Sequence, residues 1–76
     1  MQVEILTIFK SLFSAESHEV ILPGDDGEFS VWDLHQPCLY SLRAGRIIMS
    51  GQAASVPIKR GVAIIGDNKL TALVEV

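Results

Sequence analysis

Apolar residues recur at every second position along much of this chain, in short runs separated by glycine, proline and acidic or amide residues. Val3, Ile5, Thr7 and Phe9 share one face of a first predicted strand, and Leu6 and Ile8 make its other face apolar too. That is the pattern of a strand covered on both sides. Lys10-Ser11 reads as the turn that ends it, and Leu12-Phe13 opens the next run. Glu16, His18, Val20 and Leu22 then alternate with Ser17, Glu19 and Ile21 in a second strand whose start is polar on both faces.

The densest turn signal is Pro23-Gly24-Asp25-Asp26-Gly27, where proline presets one dihedral and glycine permits positive φ. Glu28 to Trp32 forms a short strand with Phe29 and Val31 on one face; Asp33 to Gln36 breaks the pattern, and Pro37 disfavours helix before it. Arg46 to Met49 is the next strand, entered through Gly45, and Gly51-Gln52 is a turn. Ala54, Val56 and Ile58 alternate in the run that follows. Its Pro57 donates no ladder hydrogen bond, so that strand belongs at an edge or contains a bulge.

Val62 to Ile65 is a short continuous apolar strand, and Gly66-Asp67-Asn68 is a hairpin signal. Leu70, Ala72, Val74 and Val76 alternate with Lys69, Thr71, Leu73 and Glu75. Six or more short strands at this spacing predict an all-β fold, an antiparallel sandwich or flattened barrel. Val20, Leu22, Phe29, Val31, Ile47, Ile64, Leu70 and Ala72 are its expected interior. No repeat, linker or amphipathic helix interrupts the pattern.

Composition narrows the picture. The 76 residues make one domain, 1–76, too short for a second core. A chain this size buries only about 60–65% of its unfolded surface, yet Cys38 is the single cysteine, so no internal disulfide compensates. With 49% hydrophobic residues the chain has enough apolar material for an ordered core. A net charge of −3 with scattered Lys and Arg gives no basic stripe for nucleic acid. No apolar run approaches the roughly 20 residues that cross a bilayer, and Met1 to Glu4 lacks the features of a signal peptide. The expectation is a soluble intracellular domain with no membrane insertion of its own.

Candidate chemistry is sparse. Asp33, His35 and Cys38 lie close in sequence, but a structural metal needs a fourth ligand and no motif surrounds the cysteine. The alternative is an ordinary loop: Asp33 caps a turn, His35 binds backbone, and Cys38 packs as a small hydrophobe. Asp25, Asp26 and Glu28 lack calcium-loop spacing, and Gly24 and Gly27 lack the context of a phosphate loop. Lys59-Arg60 reads as a solvated pair, and Trp32 as largely buried. Neither a catalytic residue, a metal site nor a cofactor is expected.

The stretch Leu22-Pro23-Gly24-Asp25-Asp26-Gly27-Glu28-Phe29-Ser30-Val31 resembles the epsilon-subunit signature of F-type ATP synthases, Pro-Gly-x-x-Gly-Glu-Phe-Gly-Val. His35-Gln36-Pro37-Cys38-Leu39 continues it in register with His-Ala-Pro-Leu-Leu, and Leu42 to Ile47 looks like Leu-x-Pro-Gly-x-Ile. Val3 to Thr7 with Leu12-Phe13-Ser14 resembles the opening of that family, and Gly61 to Ile65 with Asn68 to Thr71 resembles its close. The resemblance implies a flattened antiparallel β-sandwich or barrel of about 8–10 short strands that docks on the gamma subunit and on the polar loops of the c-ring. It implies a non-catalytic role in transmitting rotation, on the cytoplasmic face of a bacterial plasma membrane. It places Asp25, Asp26, Gly27 and Glu28 on the c-ring-facing loop, and His35, Pro37 and Leu39 at the gamma and rotor contact.

Three departures stand out. Ser30 replaces a family glycine, Trp32-Asp33-Leu34 replaces Leu-Pro-Gly, and Lys59-Arg60 replaces Ser-Gly; losing glycines there predicts altered loop geometry. Family members commonly continue into a helical hairpin, and a chain ending at Val76 is expected to lack the regulation and the ATP site carried there. Two other readings stay open: a diverged β-sandwich that binds some other protein, and a small metal-dependent enzyme built on Asp33, His35 and Cys38.

Overall fold

A computed structural model of the chain describes residues 1–51 and 54–76, and every regular element in it is a strand. In chain order these are β1 (Gln2–Leu6), β2 (Ser11–Glu16), β3 (Glu19–Gly24), β4 (Gly27–Trp32) and β5 (Cys38–Leu42). They are followed by β6 (Gly45–Met49), β7 (Ala54–Ile58), β8 (Arg60–Gly66) and β9 (Lys69–Glu75). The hydrogen-bonded path runs β2-β1-β9-β8-β5-β3-β6-β7, with β4 added to the other side of β3. One half, β2-β1-β9-β8-β5, folds over the other, β4-β3-β6-β7. Among the described residues their strands pair at one corner, where Gly24 pairs with Leu42 and the Arg43 amide donates to the Pro23 carbonyl at 2.9 Å. The result is a nearly closed sandwich.

The alternation decides what fills it. Val3, Ile5, Val20, Leu22, Val31, Ile47, Met49 and Leu70 are fully buried, one or two from each of β1, β3, β4, β6 and β9. Each side chain of this size contributes about 1.5–3 kcal/mol on burial, and Phe29 and Tyr40 pack against the cluster from the open seam. The β8–β9 hairpin closes through Asp67 and Asn68, at φ 52° and 55°. Those are the dihedrals of a type I′ turn, whose twist matches the flanking strands. Pro57 lies in β7, at an end of the strand path, where its missing N–H faces no neighbour. β1 pairs with β9 in parallel, which joins the first strand of the chain to the last.

Several expectations need correction. The first strand ends at Leu6, because Thr7 to Lys10 form the turn: the Thr7 amide donates to the Lys10 carbonyl at 2.8 Å, and Thr7 Oγ1 accepts the amides of Phe9 and Lys10. Phe9 therefore does not share a strand face with Val3 and Ile5, and both it and Ile8 are exposed. Ser11 begins β2 rather than completing that turn. The second predicted strand is cut at Ser17-His18, where the buried Ser17 hydroxyl donates to the Glu19 and Ser50 carbonyls. Cys38 to Leu42 forms a strand that the pattern left unassigned. Ile64 points outward because Ala63 and Ile65 take the inward positions, and Trp32 is 60% exposed on the outer face of β4. The remaining expected core residues are inside, with Phe29 half-buried against the cluster. Gln52, expected in the turn with Gly51, lies outside the described residues.

Candidate functional site

Two surfaces hold the residues that the sequence singled out. The first is the β3–β4 turn. Gly24 pairs with Gly27, so Asp25 and Asp26 alone span the connection, and Gly27 takes φ 128°, a value suited to glycine. A side chain at Gly24 has no space, since a Cβ there falls 2.7 Å from the Phe29 ring and 2.9 Å from the Gly27 carbonyl. The turn therefore stays tight and projects Asp25, Asp26 and Glu28, all exposed, into solvent. Among the described residues these carboxylates have no hydrogen-bond or ion-pair partner. Three like charges on one small turn repel one another and are poorly suited to burial.

A groove of about 400 Å³ runs from this turn along the seam between β4 and β5. Leu39, Tyr40 and Ser41 form its far wall, so the structure brings Leu39 to the acidic turn. Beneath the seam the Phe29 and Tyr40 rings meet at 4.5 Å, and the His35 ring stands edge-on to Tyr40 at 6.1 Å. His35 and Pro37 themselves lie on the loop beyond the other end of β4. Six residues at about 3.3 Å each separate them from the turn, most of the length of a molecule measuring 27 × 25 × 21 Å.

The second surface is the outer face of β5, β8, β9 and β1. Leu39 pairs with Ile64, and Val62 with Leu73, which in turn pairs with Leu6. These residues take the outward positions of their strands and form two adjoining rows. Leu39 is 64%, Ile64 51% and Leu73 42% exposed. Thr71 and Glu4 continue the first row as a polar margin, with Glu4 paired to Lys69 at 3.9 Å. An open groove of about 610 Å³ adjoins the second row, floored by Ile8, Leu42, Val62 and Leu73 and bordered by Arg43 and Lys59. Ile64, Leu73 and Leu6 were not among the sequence-based candidates. Leu73 carried a usable signal, an apolar residue among the otherwise polar alternates of β9, whereas the unbroken run Val62 to Ile65 hid which of its members faces out.

The Asp33, His35 and Cys38 grouping does not assemble. The Asp33 carboxylate binds the Met1 amino group and accepts from His18 Nδ1 at 2.7 Å, not from His35. Its pKa is held below the usual 3.8, first by the hydrogen bond from the Met1 amino group and then by that from His18, with slight desolvation opposing. His35 Nδ1 donates to the Gln36 carbonyl at 2.8 Å. Cys38 is half-buried beside Tyr40, and their hydrogen bond, followed by burial, raises the phenol above its usual 10.0. Among the described residues no three His, Cys, Asp or Glu side chains converge as a metal would require.

Asp33 to Pro37 connect β4 to β5 with an unusual backbone. Leu34 sits at φ 63° and is 81% exposed. A left-handed conformation costs a residue with a Cβ about 1–2 kcal/mol. Two contacts hold it there: the Asp33 amide donates to the His18 carbonyl at 3.1 Å, and the Leu34 amide donates to Asn68 Oδ1 at 2.9 Å.

Residues 1–76 match the family of ATP synthase delta/epsilon chain β-sandwich domains. The chain is similar to the ATP synthase epsilon chain of Geobacter sulfurreducens, 36% identical over 99% of this chain and 56% of that one. It also resembles the chloroplastic epsilon chain of Chaetosphaeridium globosum, 29% identical over 97% of this chain and 56% of that one. It thus spans about half the length of these curated relatives. Its fold is similar to a chain in the central stalk and c-ring of the Tetrahymena thermophila mitochondrial ATP synthase. That superposition has a TM-score of 0.80 at 14% identity, covering 99% of this chain and 63% of that one.

Proposed function

Because the chain belongs to the β-sandwich domain family of ATP synthase delta and epsilon chains, we propose that it serves as a non-catalytic rotor-stalk module of an F-type ATP synthase. In this role it binds the gamma subunit and the c-ring and helps couple ion-driven rotation to ATP synthesis. It has no residue that performs the chemistry. Its attachment to the membrane, at the cytoplasmic face in a bacterium, runs through its partners; no helix among the described residues is long and apolar enough to cross a bilayer.

The observation that carries this reading is the outward pair Leu39 and Ile64 with Leu73 beside it, an exposed apolar face bordered by polar residues on a chain of this family. A contiguous patch of this kind marks a protein-binding surface. Leu39, with His35 and Pro37 on the loop that leads into its strand, docks on gamma. The Asp25 to Glu28 turn meets polar or basic c-ring loops, for which unpartnered, solvent-facing carboxylates are suited. Charges at a rim steer encounter and register more than they hold a complex together.

The test is Glu28→Gln in reconstituted synthase, with ion pumping per ATP hydrolysed measured across ionic strength. Coupling weakens, most clearly at low salt where screening is least, while the melting temperature of the free chain stays within about 1 °C because Glu28 is exposed and has no partner among the described residues. If Glu28→Gln lowers the melting temperature and spares coupling, the carboxylate is structural and the c-ring assignment of this turn fails.

A further inference from the structure

We infer that Asn68 is a positioning residue for the gamma contact: from the β8–β9 turn it fixes the backbone of the Asp33–Pro37 loop, so that His35 and Pro37 meet gamma on a loop already in its binding shape. The inference rests on the rotor-stalk reading, which puts gamma on His35 and Pro37, and adds to it a residue that gamma need not touch.

The β8–β9 turn by itself does not ask for asparagine at this position. A type I′ turn needs positive φ at both central residues, and glycine is the ordinary occupant of the second. Asn68 holds that place at φ 55°. Its side chain supplies what glycine lacks, an acceptor: Oδ1 takes the Leu34 amide at 2.9 Å. The hairpin fixes the Asn68 backbone, and the Asn68 carbonyl accepts the Gln2 amide at 3.1 Å, so the acceptor is delivered from a rigid support.

The loop depends on that support. Among the described residues its hydrogen bonds to the body of the domain come from its first two members. Asp33 is tied through its amide to the His18 carbonyl and through its carboxylate to the Met1 amino group and His18 Nδ1; Leu34 is tied through its amide to Asn68. The next bond, from His35 Nδ1 to the Gln36 carbonyl, is internal to the loop. Leu34 is therefore the last tied residue, and it sits at φ 63°. That dihedral costs a residue with a Cβ about what one hydrogen bond returns. Without the Asn68 acceptor nothing offsets the cost, and the path of His35, Gln36 and Pro37 changes with Leu34. The His35 ring, edge-on to Tyr40 at 6.1 Å, marks the held position. A contact loop that is already ordered loses less freedom on association, and one that is only partly in the competent shape binds more weakly by that fraction.

The full chain and its variants are titrated against purified gamma subunit from the same organism, at physiological ionic strength, where the charge added by Asn68→Asp is largely screened. Asn68→Gly keeps the turn and removes the acceptor. Its binding is expected to be about fivefold weaker, the population shift that the net worth of one hydrogen bond produces. Asn68→Asp, which keeps an acceptor, stays within about twofold of the unmodified chain. His35→Ala weakens binding by itself, and adding Asn68→Gly to it weakens binding less than about twofold further, because both act through one loop. Ile58→Val, a comparable loss of stability in the buried core of β7, leaves affinity unchanged. An Asn68→Gly affinity within twofold of the unmodified chain overturns the inference and leaves the stalk reading standing. So does an equal loss in Asn68→Asp or Ile58→Val, or an undiminished effect beside His35→Ala. If the unmodified chain does not bind gamma, or His35→Ala is silent, the gamma assignment of the loop fails and the inference goes with it.

Discussion

The backbone amide of Leu34 donates to Oδ1 of Asn68 at 2.9 Å, joining the β4–β5 loop to the β8–β9 turn across 34 residues of chain. Asn68 carries two other duties there: its own φ of 55° helps close the hairpin, and its carbonyl accepts the Gln2 amide at 3.1 Å where β1 begins. Only the bond to Leu34 depends on its side chain.

Asn68→Gly keeps the positive φ and the carbonyl but removes that acceptor. Urea unfolding is expected to show a loss of about 1 kcal/mol, the usual worth of one hydrogen bond. Asn68→Asp, which retains an acceptor and tolerates the same dihedral, should stay within about 0.5 kcal/mol of the unmodified chain. Equal losses in the two variants would show that the turn, rather than the tie to Leu34, is what Asn68 supports.

Acid sensitivity follows from Asp33. Its folded pKa lies below 3.8 because the Met1 amino group, and after it His18, favour the charged carboxylate. The unfolded chain consequently takes up this proton first as pH falls. The stabilisation is complete above the ordinary carboxylate value and disappears as pH drops through the lower, folded one. The melting temperature should stay level between about pH 7 and pH 5 with respect to this group and decline below about pH 4. Asp33→Asn should flatten that acid limb. An unchanged limb would assign the decline to other carboxylates.

Two glycines of β8 separate a packing requirement from a mere preference. A Cβ on Gly61 meets the Leu73 carbonyl at 2.5 Å and Val74 Cγ1 at 2.9 Å, and the carbonyl belongs to the paired strand and has no room to retreat. Gly61→Ala should destabilise the domain by about 1–3 kcal/mol in urea unfolding. Gly66→Ala, at a site with nothing within 4 Å, should be near neutral. Comparable losses at the two positions would show that the clash at Gly61 is not their cause, since the entropy of the unfolded chain favours alanine over glycine.

Much of the fold was legible because period-two alternation is a direct imprint of a sheet with one covered face. β9 shows this best, with Leu70, Ala72 and Val74 inside as read. The alternation failed where apolar residues also face outward. Leu39 lies outside between Cys38 and Tyr40, which obscured β5, and Ile64 looked like core because its neighbours are apolar too. Trp32 misled as well, since burial is the ordinary fate of an indole, whereas here the ring is exposed. The left-handed Leu34 had no sequence signal of its own, as such dihedrals are inferred from glycine and asparagine. The acidic turn was readable because its tight glycine spacing and its charges fix the same outward orientation. The outward apolar rows were not, because they arise from pairing between strands distant in sequence.

The parallel pairing of β1 with β9 gives the domain a mechanical grain. Gln2 stands opposite Lys69 and Leu6 opposite Leu73, so Gln2 and Glu75 lie toward opposite ends of the paired strands. Tension drawing those two residues apart runs along the strand axes and loads the whole hydrogen-bond ladder in shear. The β6–β7 hairpin is pulled apart differently: Gly45 and Ile58 face each other at its open end, so tension there breaks one rung at a time. A load in the first direction meets a stiff seam, and one in the second meets a zipper.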